Sequence, residues 1–181
     1  MPVQIGAKTH GFSQPTELLS DCHRRIEMFL GSFARVAEIV DKPLDREAAS
    51  ALEVALRYFR EAAPKHTADE EESLFPRLRR LQSPEVETAL ATLDALELDH
   101  RRTDSLHAEV DSLGRRCLEQ GHLSDSDSQR FREAVADLIS TYKEHIRIED
   151  EVVFPVAGKV LAQTEKTAIA EEMAKRRNVT G

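Results

Sequence analysis

The stretch HTADEEESLFP, residues 66–76, returns later in the chain as HIRIEDEVVFP, residues 145–155. Both copies place a glutamate four residues after the histidine and end in Phe-Pro. Residues four apart lie on one face of an α-helix, so each histidine and its glutamate point to the same side. His23 and His100 precede the two copies by 43 and 45 residues, and each is followed by two arginines. The sequence therefore predicts two copies of one helical hairpin.

The composition indicates a helical globular protein. The chain has 181 residues, of which 40% are hydrophobic, and it contains only seven glycines and seven prolines. This length fits one domain that buries a core without the support of disulfides or structural metals. Because alanine, leucine, glutamate and arginine are abundant, we expect helices and little or no sheet.

Charge and hydropathy exclude several classes of function. A net charge of −8 repels a phosphate backbone, which argues against nucleic acid as a partner. No apolar run approaches the roughly 20 residues of a membrane span, and the N-terminus lacks the layout of a signal peptide. We therefore expect a soluble, cytoplasmic protein. Cys22 and Cys117 lie far apart in the sequence, and we expect two buried core thiols.

Apolar residues at steps of three and four predict four long helices. Proline and glycine mark where these helices end or bend, because proline cannot donate its backbone nitrogen and glycine favours helix termini. The predicted helices extend from Pro15 to about Val40, from after Pro43 to Leu74 with a kink or break at Pro64, from Val86 to Gly121, and from Phe131 to Val156.

Four such helices with short connections predict an all-α fold, an antiparallel up-down four-helix bundle. We expect an N-terminal tail over residues 1–14 and the bundle over residues 15–160. Its two hairpin repeats cover about residues 15–82 and 84–160. Residues 161–181 form a C-terminal helical tail whose role the sequence does not indicate.

Histidine and glutamate take the positions on these helices where a core residue would normally lie. Burying two carboxylates near each other is unfavourable, and no lysine lies on these faces to neutralise them. A bound metal would supply the charge. Imidazole and carboxylate without thiolate suit iron, manganese or zinc, and zinc has no redox chemistry. The candidate ligands are His23, His66, Glu70, His100, His145 and Glu149.

The number of donors favours two metal ions over one. Four imidazole nitrogens and two bridging glutamates give each of two metals four protein donors. An oxo or hydroxo bridge would add a fifth donor and leave one position open. That position suits a small ligand such as dioxygen, nitric oxide or peroxide.

In chain order, the six residues form the pattern His, His-x-x-x-Glu, His, His-x-x-x-Glu. This pattern resembles that of hemerythrin-like proteins, the HHE cation-binding domain, in its bacterial form. The resemblance covers about residues 15–160. It implies that the six residues bind two oxo- or hydroxo-bridged irons, with manganese or zinc less expected. Classical oxygen-carrying hemerythrins have a second histidine where this chain has Asp104, so the resemblance does not extend to reversible dioxygen carriage.

Other polar residues near the motifs have more than one interpretation. Asp104 could be a further ligand, accept a hydrogen bond from His100, or face water. Glu97 and His107 could orient ligands or line the ends of the bundle. Tyr142 could provide a phenolate to ferric iron or a hydroxyl to bound peroxide, although such a tyrosine more often fills the core.

The remaining residues of the repeated stretches are expected to have structural roles. Each phenylalanine would cover the metal layer, and each proline would bend its helix. Asp150 could replace Glu149 as the bridging carboxylate. Otherwise the neighbouring acidic residues are expected on the solvated helix surface: Asp69, Glu71, Glu72, Asp150 and Glu151.

Three functions compete on this evidence. The first is a di-iron protein that binds or senses dioxygen, nitric oxide or iron, and its protein partner is unknown. The second is a di-iron, catalase-like enzyme that disproportionates peroxide or acts in oxidative or nitrosative stress defence, with Tyr142 and Glu97 as relay residues. The third is a helical bundle without metal.

Overall fold

The computed structural model describes residue 11 and residues 13–179. These residues form helices joined by short connections and contain no strand, which confirms the predicted all-α fold. Most of the predicted N-terminal tail lies outside the described residues. No helix within residues 13–179 is long and apolar enough to cross a membrane.

The helices are of three kinds. Within residues 13–179, eight α-helices are accompanied by one short 3₁₀ segment, Pro84–Val86, and by two π-helical segments, Asp69–Leu74 and Glu149–Val153. We call the two π-helical segments π1 and π2. The α-helices are α1 (Pro15–Ala37), α2 (Arg46–Glu61), α3 (Ala63–Ala68), α4 (Phe75–Arg79), α5 (Glu87–Gln120), α6 (Asp125–Ile148), α7 (Phe154–Val160) and α8 (Gln163–Arg176).

The first of two compact units contains the described parts of residues 1–25, 65–97 and 146–181. Its core includes Leu19, Phe75 and Phe154 together with apolar residues of α5 and α7. Helix α8 adds Ile169 and Met173, both fully buried. The segment predicted as a C-terminal helical tail is therefore an integral part of this core.

The second compact unit contains residues 26–64 and 98–145. Large aromatic residues fill its interior, with Phe33 stacked on Phe59 at 5.2 Å between ring centroids. Gly121 ends α5 as predicted, and its φ of 85° explains the glycine, because side-chain-bearing residues rarely adopt that conformation. Its carbonyl accepts a hydrogen bond from the backbone nitrogen of Leu44 at 2.9 Å.

The break predicted before His66 is present. Helix α2 ends at Glu61 and α3 begins at Ala63, so Pro64 lies in the first turn of a new helix. Proline is tolerated there because the nitrogens of a first turn have no partner within the helix.

A π-helical turn precedes each of the two Phe-Pro pairs, where the sequence predicted bends. In π1 and π2 the helix widens, so that the nitrogens of Phe75 and Phe154 bond to the carbonyls of Glu70 and Glu149. A proline ring collides with the carbonyl four residues before it. Because a π turn contains one extra residue, it relieves that collision and also changes which side chains face inward.

Candidate metal centre

Four of the six predicted ligands lie together in the first unit. Each of His23, His66, Glu70 and Glu149 offers a ligand atom, and these atoms lie within 4.8 Å of one another. The Nε2 atom of His23 lies 3.1 Å from Glu149 Oε2, and that of His66 lies 3.1 Å from Glu70 Oε1. Three of these side chains are fully buried, and His66 is 5% exposed.

Each ligand is placed by the local helical structure. Helix α1 supplies His23 and α3 supplies His66, whereas both glutamates lie at the start of a π-helical turn. The ring of His23 meets that of His66 edge-on at 4.9 Å and stacks on Phe154 at 5.2 Å. The phenylalanine of the second Phe-Pro pair therefore covers a predicted ligand, as the sequence indicated.

The electrostatics of this group attract positive charge. Two buried carboxylates repel each other strongly at this separation, because little water is present to screen them. Burial lowers the pKa of His23, but hydrogen bonds with Asp150, Glu149 and Glu70 outweigh that effect and raise the pKa well above its usual range. The pocket is therefore suited to a cation.

The other two predicted ligands, His100 and His145, lie together in the second unit. Their Nε2 atoms are 3.1 Å apart, and the side chains are 5% and 3% exposed. The Nδ1 atom of His145 lies 3.6 Å from Asp99 Oδ2. Two imidazoles whose Nε2 atoms approach so closely can coordinate one cation together.

Asp150 is neither a solvated residue nor a substitute for Glu149. Its Oδ1 atom lies 2.9 Å from His23 Nδ1 and accepts a hydrogen bond from Ser20, while its Oδ2 atom pairs with Arg24 at 2.5 Å. Although burial raises the pKa of Asp150, the hydrogen bond from His23 lowers it overall. A proton held on Nδ1 leaves Nε2 of His23 available as a ligand, a role that carboxylates often play beside metal-binding histidines.

Asp69 is also not on the solvated surface. Its side chain is fully buried, and its carboxylate pairs with Arg176 at 3.0 Å and Arg177 at 2.6 Å. Burial raises the pKa of Asp69 despite these two guanidinium groups. Glu72 and Glu151, by contrast, are exposed as expected. The repeated stretches of sequence do not indicate the contacts of Asp69. Its partners are Arg176, the last residue of the distant α8, and Arg177, which follows that helix.

The additional residues that the sequence offered as ligands or supporting groups do not join the buried group of the first unit. Asp104 is exposed, which does not fit a ligand of a buried centre. The carboxylate of Glu97 accepts a hydrogen bond from the guanidinium of Arg79 at 2.6 Å. The hydroxyl of Tyr142 lies 3.1 Å from His107 Nε2, and the tyrosine is 9% exposed, so it fills the core of the second unit. Cys22 and Cys117 are buried free thiols, as predicted.

His107 gives the protein a sensitivity to acid. It stacks on Phe59 at 4.3 Å, and burial lowers its pKa from 6.5 to about 4. The unfolded chain therefore binds the proton more readily, and stability is lost as the pH falls from about 6.5 to about 4. Between about pH 7 and pH 5, we expect the unfolding free energy of the metal-free wild type to fall by about 2 kcal/mol more than that of His107→Gln.

Urea denaturation at the two pH values, with a chelator present, measures this difference. His122→Gln is the matched control, since His122 is exposed, and it should follow the wild type. Equal acid sensitivity in His107→Gln and the wild type would show that His107 does not stay neutral in the folded protein.

Comparison with known proteins adds independent information. The family model described as the hemerythrin HHE cation binding domain matches residues 14–157. The match covers the stretch that carries the sequence resemblance and confirms it. A protein of Haemophilus influenzae, described as uncharacterized, is 27% identical over 169 residues, which are 93% of this chain and 92% of that protein.

Proposed function

Since the chain belongs to the hemerythrin HHE cation-binding domain family, we propose that it binds two iron ions and, through them, binds or senses dioxygen or nitric oxide. The observation that carries this proposal is the buried group of two histidines and two glutamates in the first unit. Two carboxylates without access to water need a compensating positive charge, and a metal ion supplies more of it than a proton does.

We assign one ion to the group in the first unit, His23, His66, Glu70 and Glu149. We propose that His100 and His145 of the second unit would hold the second ion. The equal His-x-x-x-Glu spacing of the two repeats supports this assignment. Each ion would then have two imidazole ligands from the chain.

The donor set favours iron among the available metals. Imidazole and carboxylate donors without thiolate suit iron and manganese, whereas calcium and magnesium prefer oxygen donors alone. When bound, iron would supply redox chemistry and an open coordination position for a small ligand. The chain's own part is to hold the donors: Asp150 fixes the Nδ1 side of His23, and Phe154 covers the ring and limits water access.

The test is to load the purified protein with ferrous iron without air and then to record visible absorption before and after adding dioxygen or nitric oxide. We expect a new visible band with either ligand. It should be absent in His66→Ala and retained in Asp104→Asn, whose substituted residue is exposed. An iron-loaded protein whose spectrum responds to neither gas would overturn the proposed function.

The hydrogen bonds of the two candidate relay residues do not favour the catalytic alternative. A relay role for Glu97 or Tyr142 would need a polar group directed to the metals. The ring of Tyr142 lies edge-on to that of His145 at 6.2 Å between centroids, but its hydroxyl is bonded elsewhere. Glu97 is instead bonded to Arg79, and the Tyr142 hydroxyl to His107. We therefore propose binding or sensing rather than turnover of peroxide.

A further inference from the structure

Helix α8 reaches π1 through one buried carboxylate. Asp69 is fully buried, and each of its oxygens meets a different guanidinium, Oδ1 that of Arg176 and Oδ2 that of Arg177. Arg176 is the last residue of α8, and Arg177 directly follows the helix. An ionised carboxylate in such a place depends on its partners, because an unpaired buried charge destabilises a protein by several kcal/mol.

Arg176 also binds two other residues of π1. Arg176 donates to Ser73 Oγ at 2.9 Å and to Glu72 Oε2 at 3.0 Å, so its guanidinium contacts three residues of one turn. On the neighbouring part of α8, Glu172 pairs with Arg77, which in turn donates to the carbonyl of Ser73. Side chains of α8 therefore contact π1 directly, through Arg176, and indirectly, through Arg77.

Asp69 directly precedes Glu70, which faces the metal group from the same turn. A shift or rotation of π1 would move the Glu70 carboxylate relative to His66. In the second repeat, the position that corresponds to Asp69 is Ile148, a partly buried apolar residue. The buried ion pairs with Arg176 and Arg177 are therefore particular to the first repeat.

We propose that Arg176 and Arg177 are positioning residues for the metal centre, acting through Asp69 on the turn that carries Glu70. The inference rests on the proposed metal binding. It makes α8 part of the centre rather than an appendage. Coupling of this kind is reciprocal: bound metal stabilises the docked α8, and docked α8 strengthens metal binding by the same factor.

The test compares Co²⁺ affinity among variants by competition with a chromogenic chelator. Arg176→Gln with Arg177→Gln leaves Asp69 buried and unpaired, and we expect affinity about tenfold or more weaker, the range typical of residues that orient metal ligands. The visible bands of bound Co²⁺ should change, because Glu70 is displaced. Arg176→Lys with Arg177→Lys restores the charge and should recover most of the affinity.

The matched control weakens α8 elsewhere. Lys166→Gln removes the hydrogen bond from α8 to the carbonyl of Gly158 and leaves the contacts of Asp69 and of π1 intact. We expect its Co²⁺ affinity to stay within about twofold of the wild type, and circular dichroism should show that all variants are folded. Adding Asp69→Asn to the double arginine variant removes the unpaired charge and should restore part of the affinity.

Two results would overturn the inference. One is wild-type affinity and an unchanged Co²⁺ spectrum in the double arginine variant. The other is an equal loss in the Lys166→Gln control, which would mean that α8 only stabilises the fold. A wild type that binds no Co²⁺ and no Fe²⁺ would instead refute the proposed function itself.

Discussion

Glu70→Gln combined with Glu149→Gln is expected to abolish metal binding and, at the same time, to stabilise the metal-free protein. Both carboxylates are fully buried and belong to one group of ligand atoms. Without metal their mutual repulsion and lost hydration oppose folding, and the contact with His23 offsets only part of that cost. Neutral amides of the same shape remove that cost, so the unfolding free energy should rise by about 1–3 kcal/mol.

Metal affinity should change in the opposite direction. Both glutamates are proposed metal ligands, and their loss should weaken Fe²⁺ and Co²⁺ binding by at least about a hundredfold. Urea denaturation in the presence of a chelator and metal titration measure the two effects on the same samples.

A matched control comes from the same two stretches. Glu72→Gln with Glu151→Gln changes two exposed carboxylates, so metal affinity and stability should both stay close to wild type. If the double substitution of Glu70 and Glu149 lowers the stability of the metal-free protein and leaves metal affinity unchanged, these residues form a structural polar layer and the metal assignment is wrong.

Metal addition is expected to have a comparably large effect on the wild type. A ligand that binds only the folded state raises the free energy of unfolding, and the increase grows with the logarithm of the free ligand concentration divided by Kd. The increase is about 4 kcal/mol when the ligand concentration is about a thousand times Kd. The pocket around His66 does not exist in the unfolded chain, so this condition holds. Denaturation in urea with and without Co²⁺ measures this change in the free energy of unfolding.

The shift should disappear in His66→Ala, which removes a ligand from the group in the first unit. In Asp104→Asn it should remain, because the residue is exposed. A shift of the same size in His66→Ala and the wild type would place the stabilising ion somewhere other than the proposed centre.

The sequence predicted the helices and the buried histidines and glutamates because both follow from spacing. The steps of three and four residues gave the helices, and the repeated His-x-x-x-Glu motif placed His66 and Glu70 on one face. The break at Pro64 and the end of α5 at Gly121 follow from the chemistry of proline and glycine alone. Such features depend on residues that are near one another in the chain.

The errors concern residues whose environment depends on distant parts of the chain. Asp69 was expected in solvent because regular helical spacing places it away from Glu70. The π turn changes that spacing, and the guanidinium groups that pair with Asp69 come from residues more than 100 positions later. Asp150 is likewise held by α1 through His23 and Ser20. No local pattern contains either contact.

The most direct test of the central claim is the metal content of the chain after anaerobic reconstitution with ferrous iron and removal of unbound ions. We predict about two iron ions per chain in the wild type, and at most about one in His23→Ala with His66→Ala, which lacks both imidazoles of the group in the first unit. A wild type that retains less than about half an equivalent of iron, manganese or zinc would contradict the claim that this fold is built around a two-metal centre.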